Sequence, residues 1–212
     1  LEPGGAWTPK QIKLHDGHVY WSDREGMAVR RCRLDGSGAE TLVRTGDPDR
    51  DKGDMARWCV GLAIDAARGR LYWTQKGGDN AREGVIRRCA LSPPRGLAPE
   101  ARTPEARRDV ETLFAGLPEP IDLDLDSAAN TLYWTDRGDE TLSRAFVGGG
   151  AGLKREVVLR GLGEAIGVAL DGEARSLAWA SLEGEIGTAR LDGRGSRRIA
   201  TGLGLLTGVA WG

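Results

Sequence analysis

Three carboxylates in the sequence fall at matching points of an internal repeat and could share one chemical task. Glu119 and Glu164 occupy one repeat position, and Asp122 occupies a second position shortly after it. Three acids that converge could hold a divalent cation, which prefers oxygen ligands, or one of them could act as a general base. Lys10 and Arg57 are candidate counter-charges. The alternative interpretation is an ordinary solvated rim without chemistry.

A second group of acids lies in residues 47–54, which have the sequence Asp-Pro-Asp-Arg-Asp-Lys-Gly-Asp. Asp47, Asp49 and Asp51 alternate as the oxygen ligands of a calcium loop do, so a divalent cation such as calcium is the candidate cofactor. The loop departs from the EF-hand pattern, because its glycine comes one place late and Trp58 stands where that pattern has glutamate. A flexible acidic loop is the alternative.

Two histidines, His15 and His18, flank the pair Asp16 and Gly17. They could offer two imidazoles to a metal, although the Asp-Gly pair predicts first of all a hairpin turn. The sequence contains no Gly-x-Ser-x-Gly elbow, dinucleotide fingerprint or phosphate loop. Nucleophilic hydrolysis and nucleotide chemistry therefore lack residues to perform them.

The three cysteines, Cys32, Cys59 and Cys89, cannot all pair, and none has the short spacing of a metal site. Buried free thiols acting as small hydrophobes are expected instead. Because free thiols persist in reducing compartments, this cysteine usage favours a cytoplasmic location.

The composition is that of a soluble globular chain: 40% of the 212 residues are hydrophobic and 29% are charged. With 30 basic and 31 acidic side chains, the net charge is -1. Nucleic acids and anionic membranes require concentrated Lys and Arg, so neither is an expected partner.

The longest uncharged stretch, residues 199–212, is shorter than the roughly 20 apolar residues that cross a bilayer, so no membrane span is predicted. The chain begins with Leu1 and shows no secretion signal, so a processed product or a fragment is expected.

An internal repeat organises the sequence. Residues 19–23, Val-Tyr-Trp-Ser-Asp, recur as residues 71–75, 132–136 and, more divergently, 177–181, with tryptophans 52, 61 and 45 residues apart. An apolar run ending in Asp precedes the last three copies, and Asp-Gly pairs mark tight turns. Four short strands per unit of about 40–45 residues, with one aromatic motif per unit, predict β-propeller blades.

The motif Tyr-Trp-Thr-Asp at residues 133–136 resembles the YWTD repeat, the class B repeat of the low-density lipoprotein receptor family. The resemblance covers nearly the whole chain and implies a ring of six blades. It also implies that Asp23 and Asp136 are structural and help to tie neighbouring blades together. Gln75 and Ser181 depart from the motif at the same position, which puts that tie in doubt for two blades.

The predicted fold is all-β: a propeller of four-stranded antiparallel blades at residues 10–46, 56–117, 118–162 and 163–203. Residues 205–211 are predicted to form one extra inner strand. An unpaired apolar strand is a liability that sheets avoid, so about two further blades are expected upstream of this chain. A four-bladed closure, or self-association across open blade faces, is the alternative.

Propellers usually bind ligands at the mouth of the central channel, in the loops that lead from the outer strand of one blade to the inner strand of the next. The repeat places these candidate ligand-binding residues there: Lys10, Gln11, Arg57, Trp58, Glu119, Asp122 and Glu164. A Pro- and Arg-rich insertion at residues 92–108 is predicted to project from the rim, either as a plain surface loop or as a docking arm for an acidic partner.

Two functions remain open at this stage, since one fold can host many activities. The first is a non-catalytic recognition scaffold that binds a protein or a small ligand at the channel face. The second is an enzyme that uses a metal or carboxylates at the channel mouth, as propeller lactonases and strictosidine-synthase-like proteins do, with Glu119, Asp122 and Glu164 as its residues. Lactonase-like sites also use asparagine, and Asn80 and Asn130 fall outside the predicted inner strands.

Overall fold

The structure, a computed structural model, describes residues 7–149 and 152–211. Within these residues, sixteen β-strands form four antiparallel sheets of four strands each, and the strands of each sheet follow one another in chain order. The predicted propeller of four-stranded blades is confirmed. The strands of the first two blades are β1 (Pro9–His15), β2 (His18–Asp23), β3 (Ala28–Arg33), β4 (Glu40–Arg44), β5 (Cys59–Asp65), β6 (Arg70–Gln75), β7 (Gly84–Ala90) and β8 (Glu111–Leu117). The strands of the last two are β9 (Pro120–Asp126), β10 (Thr131–Asp136), β11 (Thr141–Phe146), β12 (Glu156–Arg160), β13 (Ala165–Asp171), β14 (Ser176–Ser181), β15 (Ile186–Arg190) and β16 (Arg197–Ala200).

The inner strand of each blade lies against the inner strand of the next, so that β1, β5, β9 and β13 follow one another around a central channel. Glycine permits the closest of these approaches. A Cβ atom on Gly61 of β5 would lie 2.4 Å from the carbonyl oxygen of Ile121 in β9, and one on Gly167 of β13 would lie 2.9 Å from Cα of Gly208. Two single-turn 3₁₀ helices, Met55–Arg57 and Pro99–Ala101, lie in the connections of the second blade.

The Tyr-Trp pair of the motif explains how successive blades pack. Neighbouring residues of a strand point to opposite faces of the sheet, so the two rings enter different interfaces. Tyr20 of the first blade shares a core cluster with Trp73 of the second. Tyr72 shares the next cluster with Trp134, and Tyr133 shares the last with Trp179. The motifs of the second and third blades therefore each join their blade to both neighbours.

The hydroxyl group at the next motif position also spans blades. Thr74 Oγ1 donates a hydrogen bond to the carbonyl oxygen of Ile121 (2.7 Å) in the following blade and accepts one from the backbone nitrogen of Gly61 (2.7 Å). Ser22 makes the corresponding bond to the carbonyl oxygen of Val60. The inner strands are thus held across the blade interfaces by polar contacts as well as by the aromatic core.

The insertion at residues 92–108 differs from its prediction as a projecting loop. The backbone nitrogen of Arg44, on the outer strand of the first blade, donates to the carbonyl oxygen of Pro104 (2.9 Å). The buried guanidinium of Arg107 donates to the carbonyl oxygens of Ala90 (2.6 Å) and Leu42 (3.3 Å). The insertion therefore lies along β4 and covers an edge strand whose backbone groups would otherwise be exposed.

Residues 205–211 lie where a further inner strand would run, but no strand is assigned to them. Trp211 Nε1 donates to the carbonyl oxygen of Ala169 (3.2 Å), which places the segment alongside β13. Leu205 is 81% exposed. The predicted strand does not form: the segment makes no backbone ladder with β13, and no later strand of its own blade follows it among the described residues.

All three cysteines are free; Cys59 and Cys89 are buried, and Cys32 is partly buried. Burial raises the pKa of the Cys59 and Cys89 thiols to about 12. Because the thiolate is the reactive form, these two groups act as small core hydrophobes, as predicted.

Candidate functional site

The central channel opens into a cavity of 760 Å³ that is lined by the inner strands and by residues 207–211. Charged side chains are concentrated in this lining. Among its described residues, five are cationic and three are acidic: Lys10, Lys13, Arg24, Lys76 and Arg137 against Glu119, Asp122 and Asp124. Cations therefore outnumber acids in this lining. Three of the cations are paired with carboxylates: Arg24 with Glu25, Lys76 with Asp79 and Glu119, and Arg137 with Asp79, Glu119 and Glu164.

Three of these cations occupy the same place in the repeat, immediately after the motif. The backbone nitrogens of Arg24, Lys76 and Arg137 donate to the carbonyl oxygens of Thr8 (3.0 Å), Trp58 (3.3 Å) and Glu119 (3.0 Å), which lie just before the inner strands. Leu182 makes the same bond to Glu164 (3.0 Å) in the fourth blade. One backbone contact, repeated in every blade, therefore holds this position at the channel mouth.

The predicted carboxylates Glu119 and Glu164 do come close, but a cation lies between them. Glu119 Oε1 is 2.6 Å from Lys76 Nζ and 2.6 Å from Arg137 Nη2. Arg137 Nη1 is 3.4 Å from Glu164 Oε2. Glu119 is 1% exposed, so its charge is neutralised by these two cations. This arrangement leaves Glu119 poorly suited to bind a metal ion.

Asp122 has a different role from the other two acids. It is buried, and its Oδ1 and Oδ2 accept hydrogen bonds from the backbone nitrogens of Leu123 (2.8 Å) and of Val168 in β13 (3.0 Å). The neighbouring Asp124 likewise accepts from Leu170 (3.0 Å). Asp122 therefore joins the third blade to the fourth. Burial raises its pKa to about 7.

The raised pKa of Asp122 predicts that the stability of the fold depends on pH. A carboxyl whose pKa is higher in the folded than in the unfolded chain holds its proton more firmly when folded. Its contribution to stability is therefore present below its ordinary pKa of 3.8 and is lost as the pH rises toward about 7. Between about pH 5 and pH 8 we expect the wild-type free energy of unfolding to fall by about 1–3 kcal/mol more than that of Asp122→Asn, which cannot ionise. Urea denaturation at several pH values measures this difference in slope, and parallel profiles would contradict it.

Asp136 holds the connection between the second and third blades, the role that the resemblance implies, and Asp23 makes the equivalent contact with the segment just before β1. Asp136 Oδ1 accepts from the backbone nitrogens of Glu119 (2.8 Å) and Gly138 (3.1 Å), and Glu119 lies in the link between β8 and β9. Asp23 Oδ1 accepts from Thr8, just before β1 (2.9 Å). Burial raises the pKa of Asp136 to about 6.

The two blades that lack the motif aspartate use other side chains for this contact. In the fourth blade, the carboxylate of Glu183 accepts from the backbone nitrogen of Glu164 (2.9 Å), which is the position equivalent to Glu119. In the second blade, Gln75 Nε2 donates to the carbonyl oxygen of Ala56 (2.6 Å). Sequence reasoning missed Glu183, although an acid two residues after the degenerate motif was a usable signal.

Trp58 lies between cations at the mouth. The guanidinium carbon of Arg24 is 4.8 Å from its ring centroid, and Lys76 Nζ is 5.9 Å from it. The predicted residue Lys10 lines the cavity near Arg24; burial, and then the charge of Arg24, lower the pKa of Lys10. Gln11 also lines the cavity, and its Oε1 accepts from the backbone nitrogen of Leu62 in β5.

Arg57 is oriented away from the channel. Its Nε donates to Asp54 Oδ2 (2.7 Å) and its Nη1 donates to the carbonyl oxygen of Thr45 (2.8 Å). It lines a separate cavity of 470 Å³ beside the acidic loop. The structure therefore does not bring Arg57 together with the other predicted ligand-binding residues.

The acids of the proposed calcium loop are engaged in local contacts. Asp47 Oδ1 accepts from the backbone nitrogen of Asp49 (3.0 Å), and Asp47 Oδ2 accepts from Arg50 Nε (3.0 Å). Asp51 Oδ2 accepts from the backbone nitrogen of Asp47 (2.9 Å). In the part of the chain that the structure describes, no group of three His, Cys, Asp or Glu side chains could hold a metal ion.

The blades and their motif define the class of this protein as a YWTD-type β-propeller, and comparisons with known proteins identify its family. The chain is 39% identical over 221 residues to low-density lipoprotein receptor-related protein 1 of Pyricularia oryzae, covering 97% of this chain and 69% of that protein. It is 37% identical to a 3-hydroxyacyl-CoA dehydrogenase-like protein of Cochliobolus heterostrophus, covering 94% of this chain but only 44% of that protein. A human low-density lipoprotein receptor-related protein 5-like protein is 32% identical over 57% of this chain and 55% of its own length.

Among solved structures, the crystal structure of a nidogen/laminin complex contains a chain with the same fold, at a TM-score of 0.68 and 22% identity. That match covers 90% of this chain and 64% of the other. No protein-family model matches the sequence. The described residues include no helix that is long and apolar enough to span a membrane. The chain belongs to the low-density lipoprotein receptor-related family of YWTD β-propellers.

Proposed function

We propose that this chain is a non-catalytic recognition scaffold whose channel mouth binds a protein partner through an acidic side chain of that partner. The observation that carries the proposal is the set of cations that the repeat delivers to one place. Arg24, Lys76 and Arg137 are held there by equivalent backbone hydrogen bonds. Lys10 adds a further cation beside Arg24. A carboxylate is the group that such a cluster favours.

The shape of the mouth supports a segment of a protein as the ligand. The cavity of 760 Å³ combines the cations with apolar residues, including Ile121, Ile166 and Trp211. Aromatic and arginine side chains are enriched where proteins recognise one another, and Trp58 under Arg24 supplies both. The structural relative comes from a nidogen/laminin complex, which is an assembly of proteins. At 22% identity this likeness bears on fold alone, so the partner's chemistry rests on the cations.

The enzymatic alternative is not favoured by the geometry. Glu119 is bound to Lys76 and Arg137, and both oxygens of Asp122 accept backbone hydrogen bonds. One relative is named as dehydrogenase-like, but this chain lacks the glycine-rich fingerprint that binds a dinucleotide.

A peptide display library tests the proposal. Peptides selected on the immobilised chain should share an Asp or Glu, and replacing that acid by its amide should weaken binding at least about tenfold, or 1.4 kcal/mol. Lys10→Glu should weaken binding of the selected peptides by a similar factor, and added salt should weaken binding to the wild type.

Lys154→Glu is the matched control, because it makes the same change of charge at an exposed lysine that is not among the described residues lining the cavity. Binding by this variant should stay within about twofold of wild type. Selected peptides without an acid, or equal losses in the two variants, would contradict the proposal.

A further inference from the structure

Both histidines of the chain lie at one point, at the end of the first blade opposite the channel mouth. His15 ends β1, His18 begins β2, and the two residues are directly opposite each other in the strand register. The turn residues Asp16 and Gly17 have φ values of 46° and 69°, as in the tight turn whose twist matches that of a hairpin. Side chains directly opposite share one face of the sheet, with Cβ atoms about 4.5–5.5 Å apart, which lets two imidazoles reach one ion.

The rings are oriented by their surroundings. The ring centroids of His15 and His18 lie 6.4 and 6.3 Å from that of Tyr20, whose side chain is buried and whose hydroxyl accepts from Arg31 Nη1 (3.2 Å). His18 Nδ1 is 2.7 Å from the carbonyl oxygen of Asp16. Since a carbonyl oxygen can only accept, Nδ1 carries the proton, and in the neutral ring the lone pair is on Nε2. A backbone carbonyl that fixes the tautomer in this way is a common support of metal-binding histidines.

The charged groups on this face argue against an oxygen-bound cation. The register places Lys13 and Arg31 on either side of Tyr20, and Arg33 beside His18. Lys13 pairs with Asp124 (3.0 Å) and Arg31 with Glu40 (2.6 Å), whereas Arg33 Nη1 donates to Ser37 Oγ (3.3 Å). A metal ion beside His15 and His18 would therefore be held by coordination to imidazole nitrogen rather than by attraction to surrounding negative charges. Imidazole nitrogen suits Cu²⁺, Ni²⁺ and Zn²⁺, whereas Ca²⁺ and Mg²⁺ prefer oxygen.

We infer that His15 and His18 bind one divalent transition-metal ion through two imidazole nitrogens, Cu²⁺ most tightly, with water completing the coordination. The order follows from the general preference of nitrogen ligands for Cu²⁺ over Ni²⁺ and Zn²⁺. The described residues supply no third His, Cys, Asp or Glu ligand, so the bound ion keeps exchangeable positions. The site lies away from the channel mouth, and its test does not depend on the partner proposed above.

Titration of the whole chain with CuCl₂, followed by calorimetry and electron paramagnetic resonance, tests the inference. The wild type should bind one equivalent of Cu²⁺ whose spectrum shows coupling to imidazole nitrogen. His15→Ala and His18→Ala should each weaken this binding at least about tenfold, and the double variant should lose it.

Two further variants distinguish this site from adventitious binding. Asp16→Asn keeps the backbone carbonyl and should leave Cu²⁺ affinity within about twofold. Arg33→Ser removes the cation beside His18 and should tighten binding. The inference is overturned if the wild type shows no saturable Cu²⁺ binding, if the double variant binds as the wild type does, or if Ca²⁺ displaces the Cu²⁺.

Discussion

Replacing Arg107 by alanine should lower the free energy of unfolding by about 3–5 kcal/mol, because it removes one partner of a buried ion pair. The Arg107 side chain is 1% exposed and its Nη2 is 2.6 Å from Asp109 Oδ2, which is itself 11% exposed. The guanidinium also satisfies the carbonyl oxygens of Leu42 and Ala90. The substitution would leave a carboxylate and two carbonyl groups with fewer partners in a poorly solvated place.

The neighbouring Arg108 supplies a matched control. Its side chain is exposed, so Arg108→Ala should change the free energy of unfolding by less than about 0.5 kcal/mol. Guanidinium denaturation followed by circular dichroism measures both variants. Equal effects would show that the insertion does not hold the first blade, as would an Arg107→Ala effect below about 1 kcal/mol.

The insertion illustrates what sequence reasoning could not resolve. Its Pro and Arg content predicts a surface loop, since polar, proline-rich segments normally leave the core. Nothing in the composition reveals that Arg107 reaches the carbonyl of Leu42, which is 65 residues earlier in the chain. That contact depends on the position of the second blade beside the first, and such a long-range placement has no local signature.

The fold itself was predictable because its signals are local and repeated. Three of the four motif copies carry both the Tyr and the Trp, the two rings that pack into different blade interfaces in the second and third blades, and Asp-Gly turns fix hairpins. The repeat also located the channel mouth. It predicted that Glu119 and Glu164 would be neighbours, and the structure joins them through Arg137.

The cluster of cations at the channel mouth was not predicted, because the repeat pointed to acidic residues there. Arg24, Lys76 and Arg137 each directly follow a motif copy. This periodicity was visible, but an isolated basic residue is usually a solvated surface residue. Only the structure shows that a common backbone hydrogen bond holds all three at the mouth and that all three line one cavity. The same is true of Gln75 and Glu183: only the structure shows that their side chains take over the contact made by the motif aspartate in other blades.

The repeated tryptophan should contribute more to stability than any other single motif residue, and Trp134→Ala should lower the free energy of unfolding by about 3–5 kcal/mol. Trp134 has no exposed surface, and its ring centroid is 5.1 Å from that of Phe114 in the preceding blade. Truncation would therefore open a cavity between two blades rather than within one. Chemical denaturation measures the loss.

Trp7→Ala is the control for Trp134→Ala, because the Trp7 side chain is 44% exposed and its backbone nitrogen contacts Asp23 independently of the ring. Its effect should stay within about 1 kcal/mol. Trp73→Ala should match Trp134→Ala, since Trp73 is also fully buried and fills the equivalent interface. If Trp134→Ala proved as mild as Trp7→Ala, the blades would not depend on the ring that the motif places between them. If Trp134→Ala and Trp73→Ala both lower the free energy of unfolding and Trp7→Ala does not, stability resides in the interfaces between blades.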